Sequence, residues 1–187
     1  MISLTKKQIR DALPKIKNGL DRYIWIQNEV MNRNTCKDLE FQRNFNYFYK
    51  ITPHRGEDWR KEFYCLLQKS KKDGITFESA LAKLFKKTER VEASFASKLV
   101  ATIIPKMPII DKHVLENLKL RLPYSYKKDR EVEISKIYQA LINEFSLFLK
   151  TEKGKYLVEQ FIKCYPTSKI SKTKMLDLIL WQTRDKK

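Results

Sequence analysis

Between Ile134 and Leu149 the apolar side chains fall at Ile134, Ile137, Tyr138, Leu141, Ile142, Phe145, Phe148 and Leu149, steps of three and four that gather them on one face of a helix. The same spacing recurs along most of the chain, so the predicted fold class is all-α, a compact helical bundle. It predicts helices over Lys6 to Asn32 with a break near Pro14, Cys36 to Tyr49, Asp58 to Lys72, Phe77 to Thr88 and Ser94 to Ile104. Further helices are predicted over Lys112 to Leu120, Glu131 to Lys150, Lys155 to Cys164 and Lys172 to Thr183. Turns are expected at Thr52-Pro53, Asp73-Gly74, Pro105 to Pro108, Pro123 to Ser125 and Pro166 to Ser168. Thr76 is placed to cap the helix that follows Gly74. No internal repeat interrupts this pattern. One helical domain over residues 1–187 is expected, with a middle lobe at about 75–122 and the terminal thirds packing together.

Charge changes the picture. Lysine and arginine number 39 against 22 acids, a formal net charge of +17, which implies an acidic partner. The basic residues cluster at Lys6-Lys7, Lys69 to Lys72, Lys83 to Arg90, Lys119 to Arg130 and Lys169 to Lys174, a broad positive face rather than a basic tail. No apolar run approaches the roughly 20 residues of a membrane span. The opening Met1 to Lys7 lacks the apolar core of a signal peptide, so a cytoplasmic setting is expected, nucleoid-associated in a bacterium. Cys36, Cys65 and Cys164 are odd in number and far apart, which suits a reducing compartment and small buried thiols rather than a disulfide framework. With His54 and His113 the only histidines, neither a metal site nor a cofactor is expected.

The candidate chemistry lies between Ala93 and Val114. Lys98 is the only charge in the apolar and small-residue run to Ile104, beside a stripe of Phe95, Leu99 and Ile103. A lysine held against such a stripe loses hydration, which favours the nucleophilic neutral amine; the alternative is a stem that snorkels to water. After the proline-bracketed turn, Asp111 precedes Lys112-His113-Val114, where helix capping and acid chemistry are compatible roles. Phe95 stands three residues before Lys98, which excludes the serine-lysine hydrolase pattern.

The run Ser94-Phe95-Ala96-Ser97-Lys98, followed by Pro108-Ile109-Ile110-Asp111-Lys112-His113-Val114, resembles the core of the helix-hairpin-helix DNA glycosylase superfamily, which includes endonuclease III and 8-oxoguanine DNA glycosylase. The resemblance implies an all-helical fold in two lobes with a substrate base extruded into a cleft. It places Lys98 on the Schiff-base lysine of the bifunctional members and Asp111 on the catalytic aspartate. Ser94, Ala96, Ser97 and His113 would then belong to the nucleic-acid-binding hairpin and its partner segment. Serine and alanine replace both hairpin glycines, the Lys98 to Asp111 interval is shorter than the family usually shows, and no glycine occurs between Gly74 and Gly154.

Aromatic residues crowd the N-terminal third, and most are expected in the core. Trp59, flanked by Arg55 and Arg60, is the candidate for contact with nucleic acid, and His54 is a second candidate for phosphate. Asp177, in the apolar helix that ends near Trp181, reads as a structural ion-pair partner. The leading functional reading is base excision on duplex DNA by a glycosylase with Schiff-base lyase activity. A nucleic-acid binder without turnover and a helical interaction protein with a basic surface are the other two.

Overall fold

The computed structural model describes residues 2–52 and 55–183, and among them every regular element is helical. In chain order these are α1 (Lys6–Ala12), α2 (Lys17–Val30), α3 (Leu39–Tyr49), α4 (Glu57–Asp73), α5 (Phe77–Thr88) and α6 (Ala93–Ile103). There follow α7 (Lys112–Asn117), α8 (Arg130–Lys150), α9 (Glu152–Cys164) and α10 (Lys172–Gln182), with a tight 3-10 turn over Leu13–Lys15 between α1 and α2. Among the described residues no helix is long and apolar enough to cross a membrane.

The contacts of the chain divide it into two units. Met1–Asn18 and Pro105–Lys187 form one, and Gly19–Ile104 forms the other. The inner unit therefore opens at Gly19 and closes at Ile104, where the sequence reading set a middle lobe at about 75–122. Aromatic packing gives the reason: Phe45 of α3 meets Phe63 of α4 at 5.6 Å, and Phe63 meets Phe95 of α6 at 6.2 Å. Trp25 of α2 joins the same cluster through Phe41 at 6.2 Å. Phe41, Phe45, Phe63 and Tyr64 are fully buried, and rings of this size dominate a small helical core.

Within the inner unit, α3 starts at Leu39 rather than near Cys36 because Asp38 accepts the Phe41 amide at 2.9 Å and fixes the first turn there. The preceding loop is fastened to α4 instead of continuing as helix. Gln68 Oε1 accepts from the Thr35 amide at 2.8 Å and from its hydroxyl at 3.2 Å, and the Lys71 amine donates to the Arg33 carbonyl. Cys36 and Cys65 are bonded as a disulfide, and Cys164 is exposed. The expectation of unpaired, buried cysteines therefore fails: folding brings α4 against the loop, a proximity that a spacing of 29 residues does not announce.

In the other unit, α8 passes directly into α9. Thr151 ends the first and caps the second, accepting the Gly154 amide at 3.1 Å. A Cβ on Gly154 would stand 2.1 Å from the Phe148 carbonyl oxygen, so only glycine lets the two helices meet this closely. Long-range hydrogen bonds hold this unit together, and the one from Tyr165 joins its two chain segments. Tyr138 donates to the Pro108 carbonyl at 3.0 Å, Tyr165 to that of Leu13, and Ser171 to that of Pro105.

Candidate functional site

Lys98 lies on α6, in the inner unit. A linker over residues 89–92, with Glu89 in the left-handed region at φ 55°, reverses the chain after α5 so that α6 packs back on it. Ala93, Ala96 and Ala101 let neighbouring elements come close, and Ala96 through Thr102 are all buried. Lys98 is 9% exposed, and its amine donates to the Tyr49 carbonyl at 3.2 Å while lying 4.8 Å from the Phe95 ring. Tyr49 is the last residue of α3, where Lys50 turns left-handed at φ 54°. The final carbonyls of a helix carry partial negative charge, so an ammonium there is attracted even without bulk water. Thr102 braces the arrangement, donating to the Lys98 carbonyl at 2.7 Å and lying 3.4 Å from the Tyr49 hydroxyl.

The segment that the resemblance assigns to a hairpin is helix here. Ser94, Ala96 and Ser97 belong to the first turns of α6, while the reversal itself falls earlier, at 89–92. Ala96 and Ser97 are fully buried, and the Ser97 hydroxyl is spent on the Ser94 carbonyl at 2.8 Å. The side chains of Ala96 and Ser97 therefore lie inside the packed unit. A buried side chain cannot meet an anion that stays hydrated. Ser94 is only partly covered.

Arg55 and Trp59 stand beside this helix. Both guanidinium nitrogens of the Arg55 fork bind the Glu92 carboxylate, one of them at 3.1 Å, and the group lies over the rings of Trp59 and Phe95 at 5.1 and 4.9 Å. Bidentate pairing with an acid that is 7% exposed occupies the geometry Arg55 would use on a phosphate. Trp59 stacks on Phe63 at 5.4 Å and meets Phe95 edge-on at 4.6 Å, so much of its ring is committed to packing. Its Nε1 is buried with no acceptor among the described residues. Arg60, half-buried on α4, is near enough to Tyr64 to oppose the burial that pushes that phenol far up. Pro53 and His54 lie outside the described residues.

Asp111 belongs to the other unit. Its carboxylate accepts the His113 amide at 2.8 Å and caps α7, and the residue is half-buried. His113 Nδ1 lies 3.4 Å from Glu116, and its ring meets Trp181 of α10 edge-on at 6.2 Å. On α10, the Lys174 amine and the Asp177 carboxylate form an ion pair at 2.7 Å, both largely out of solvent. Asp177 is thus the structural partner that its setting in the sequence suggests, and the i, i+3 spacing was the available signal for Lys174.

Sequence reasoning missed two groups. Glu92, the buried acid of the Arg55 clamp, sits in a charged linker with nothing in its local pattern to separate it from solvated acids. A three-acid cluster around Arg33 was equally unmarked: Glu29, Glu40 and Asp38 all bind its guanidinium and push its proton affinity further up. The Phe41 amide, with help from Arg33, holds the Asp38 carboxyl below its usual range, and burial pushes the Lys71 amine down. Among the described residues no group of three metal-ligating side chains converges. No protein-family model matches the chain, and no curated protein or solved structure matches it either.

Proposed function

We propose that this chain binds duplex DNA and removes damaged or modified bases from it, as a glycosylase with Schiff-base lyase activity, Lys98 being the nucleophile and Asp111 the acid. The observation that carries the reading is Lys98: a single amine held beside apolar rings on the helix that follows a helical reversal, in a protein of net charge +17. A flipped nucleotide would place its anomeric carbon against that amine. The neutral nitrogen bonds to C1′ as the C1′–base bond breaks and the base leaves protonated; Asp111 offsets positive charge on the sugar. Cleavage of the C1′–O4′ bond, with the proton passing to O4′, gives an imine; loss of a C2′ proton to water then forms the C2′–C3′ double bond as the C3′–O bond breaks and the 3′ phosphate departs. The Tyr49 carbonyl has to release the amine before it can attack.

Borohydride trapping on an oligonucleotide with an abasic site tests this directly. Wild type should form a covalent adduct, Lys98→Gln should form none while keeping its affinity for duplex, and Asp111→Asn should slow base release about 100-fold or more. No adduct from wild type, with no base released from a panel of damaged duplexes, would overturn it.

A nucleic-acid binder without turnover is the second reading. The burial of Ala96 and Ser97 and the engagement of the Lys98 amine by a helix C-terminus favour it. In that case Lys98→Gln and wild type are indistinguishable in every assay but stability. A cytoplasmic, nucleoid-associated setting belongs to both readings.

A further inference from the structure

Tyr124 and Tyr126 stand in the connection between α7 and α8, 72% and 85% exposed, with rings stacked face to face at 5.5 Å and 4° from parallel. Large aromatic rings normally bury their faces. Here a turn holds them out instead: the Lys127 amide donates to the Tyr124 carbonyl at 3.2 Å, which brings residues two apart onto one side of the chain. The base of the loop is closed by Arg130, whose Nε donates to the Pro123 carbonyl at 3.2 Å. Lys119, Arg121, Lys127 and Lys128 flank the pair in sequence, and Asp129 is the one acid between Lys119 and Arg130. Of these cations Lys127 is tied to Glu133 at 2.6 Å, while Lys119, Arg121 and Lys128 are exposed.

We propose that this tyrosine pair is a stacking platform for unpaired bases of a nucleic-acid strand, with the flanking lysines and arginine on its phosphates. Two parallel rings with open outer faces extend a column of bases at either end. The partner must offer flat aromatic faces and negative charge together, and a nucleic-acid strand offers both at every residue. Paired bases inside a duplex already have both faces covered, so the platform selects single strands, loops or ends. Stacking of this kind tolerates any sequence because every base has a π face. The inference shares with the proposed function only a polyanionic partner, and it involves neither Lys98 nor Asp111.

The test measures anisotropy of labelled oligothymidylate, oligouridylate and a mixed-sequence duplex with the full chain at fixed salt. Tyr124→Ala and Tyr126→Ala should each weaken single-strand binding about tenfold, and Tyr→Phe at either position should preserve it, since the ring face is what stacks. Duplex binding and borohydride trapping should be unchanged in the same variants, and their helical circular dichroism should match wild type. Thymidylate and uridylate affinities distinguish DNA from RNA as the source of the strand. The proposal is overturned if wild type does not bind single strands, or if the alanine variants bind them as wild type does. An equal loss on duplex would also overturn it, as would sedimentation showing a wild-type dimer that these substitutions dissociate, because the rings would then seat a second copy of the chain.

Discussion

A lysine and an aspartate three residues apart on α10 illustrate how burial changes the value of one contact. Lys174 is 2% exposed and pairs with Asp177, and two charges removed from water hold each other at a desolvation cost that their attraction only offsets. Lys174→Met should therefore destabilise the fold by about 3–5 kcal/mol, because it strands a buried carboxylate. Lys174→Met combined with Asp177→Leu should recover most of that loss; urea denaturation of the three proteins measures it. Equal destabilisation in single and double variants would mean that packing, not charge, sets the cost. Lys98 differs in kind. One of its bonds goes to a backbone carbonyl at the end of α3, which no side-chain substitution removes. Apolar spacing in the sequence placed Lys98 beside the buried stripe of α6, but nothing local indicated which acceptor its amine would reach, since Tyr49 is 49 residues away.

Elements were largely legible because their signals are local. Helical spacing, Thr76 at the head of α5 and the turn after Gly74 each lie within a few residues of what they control, and α5 runs Phe77–Thr88 as the pattern predicts. The failures are equally physical. The helix expected from Lys155 starts at Glu152 instead, with Gly154 in its first turn, since the missing side chain makes room for the end of α8. Gly154→Ala should cost about 1–3 kcal/mol although alanine is the better helix former, because the new methyl meets backbone that cannot move aside. A lower thermal midpoint would confirm the close approach, and a raised one would show that propensity governs. The segment that the resemblance reads as a hairpin, with Ser94, Ala96 and Ser97, is helical for a related reason. Without glycine there, residues 93–103 have no cause to leave the helix, and the reversal moves to the charged linker before it.

For the molecule as a whole, the formal charge of +17 makes the proposed duplex binding a question of salt. Duplex affinity should fall by about a thousandfold or more between 50 and 200 mM salt if six or more phosphates are contacted, and a titration of binding against salt reads that number. A flat response would leave a helical interaction protein with a basic surface as the better account. The sequence by itself determined the all-α class, most helix positions and this charge, because periodicity, capping and composition act over a turn or are summed over the chain. Tertiary structure alone decided that Gly19–Ile104 forms one unit, that Cys36 meets Cys65, that Glu92 takes the fork of Arg55, and that Tyr124 and Tyr126 face solvent as a stack. Each of these depends on which segments pack together and which are left uncovered, and a contact between distant segments leaves no mark in the local pattern of either.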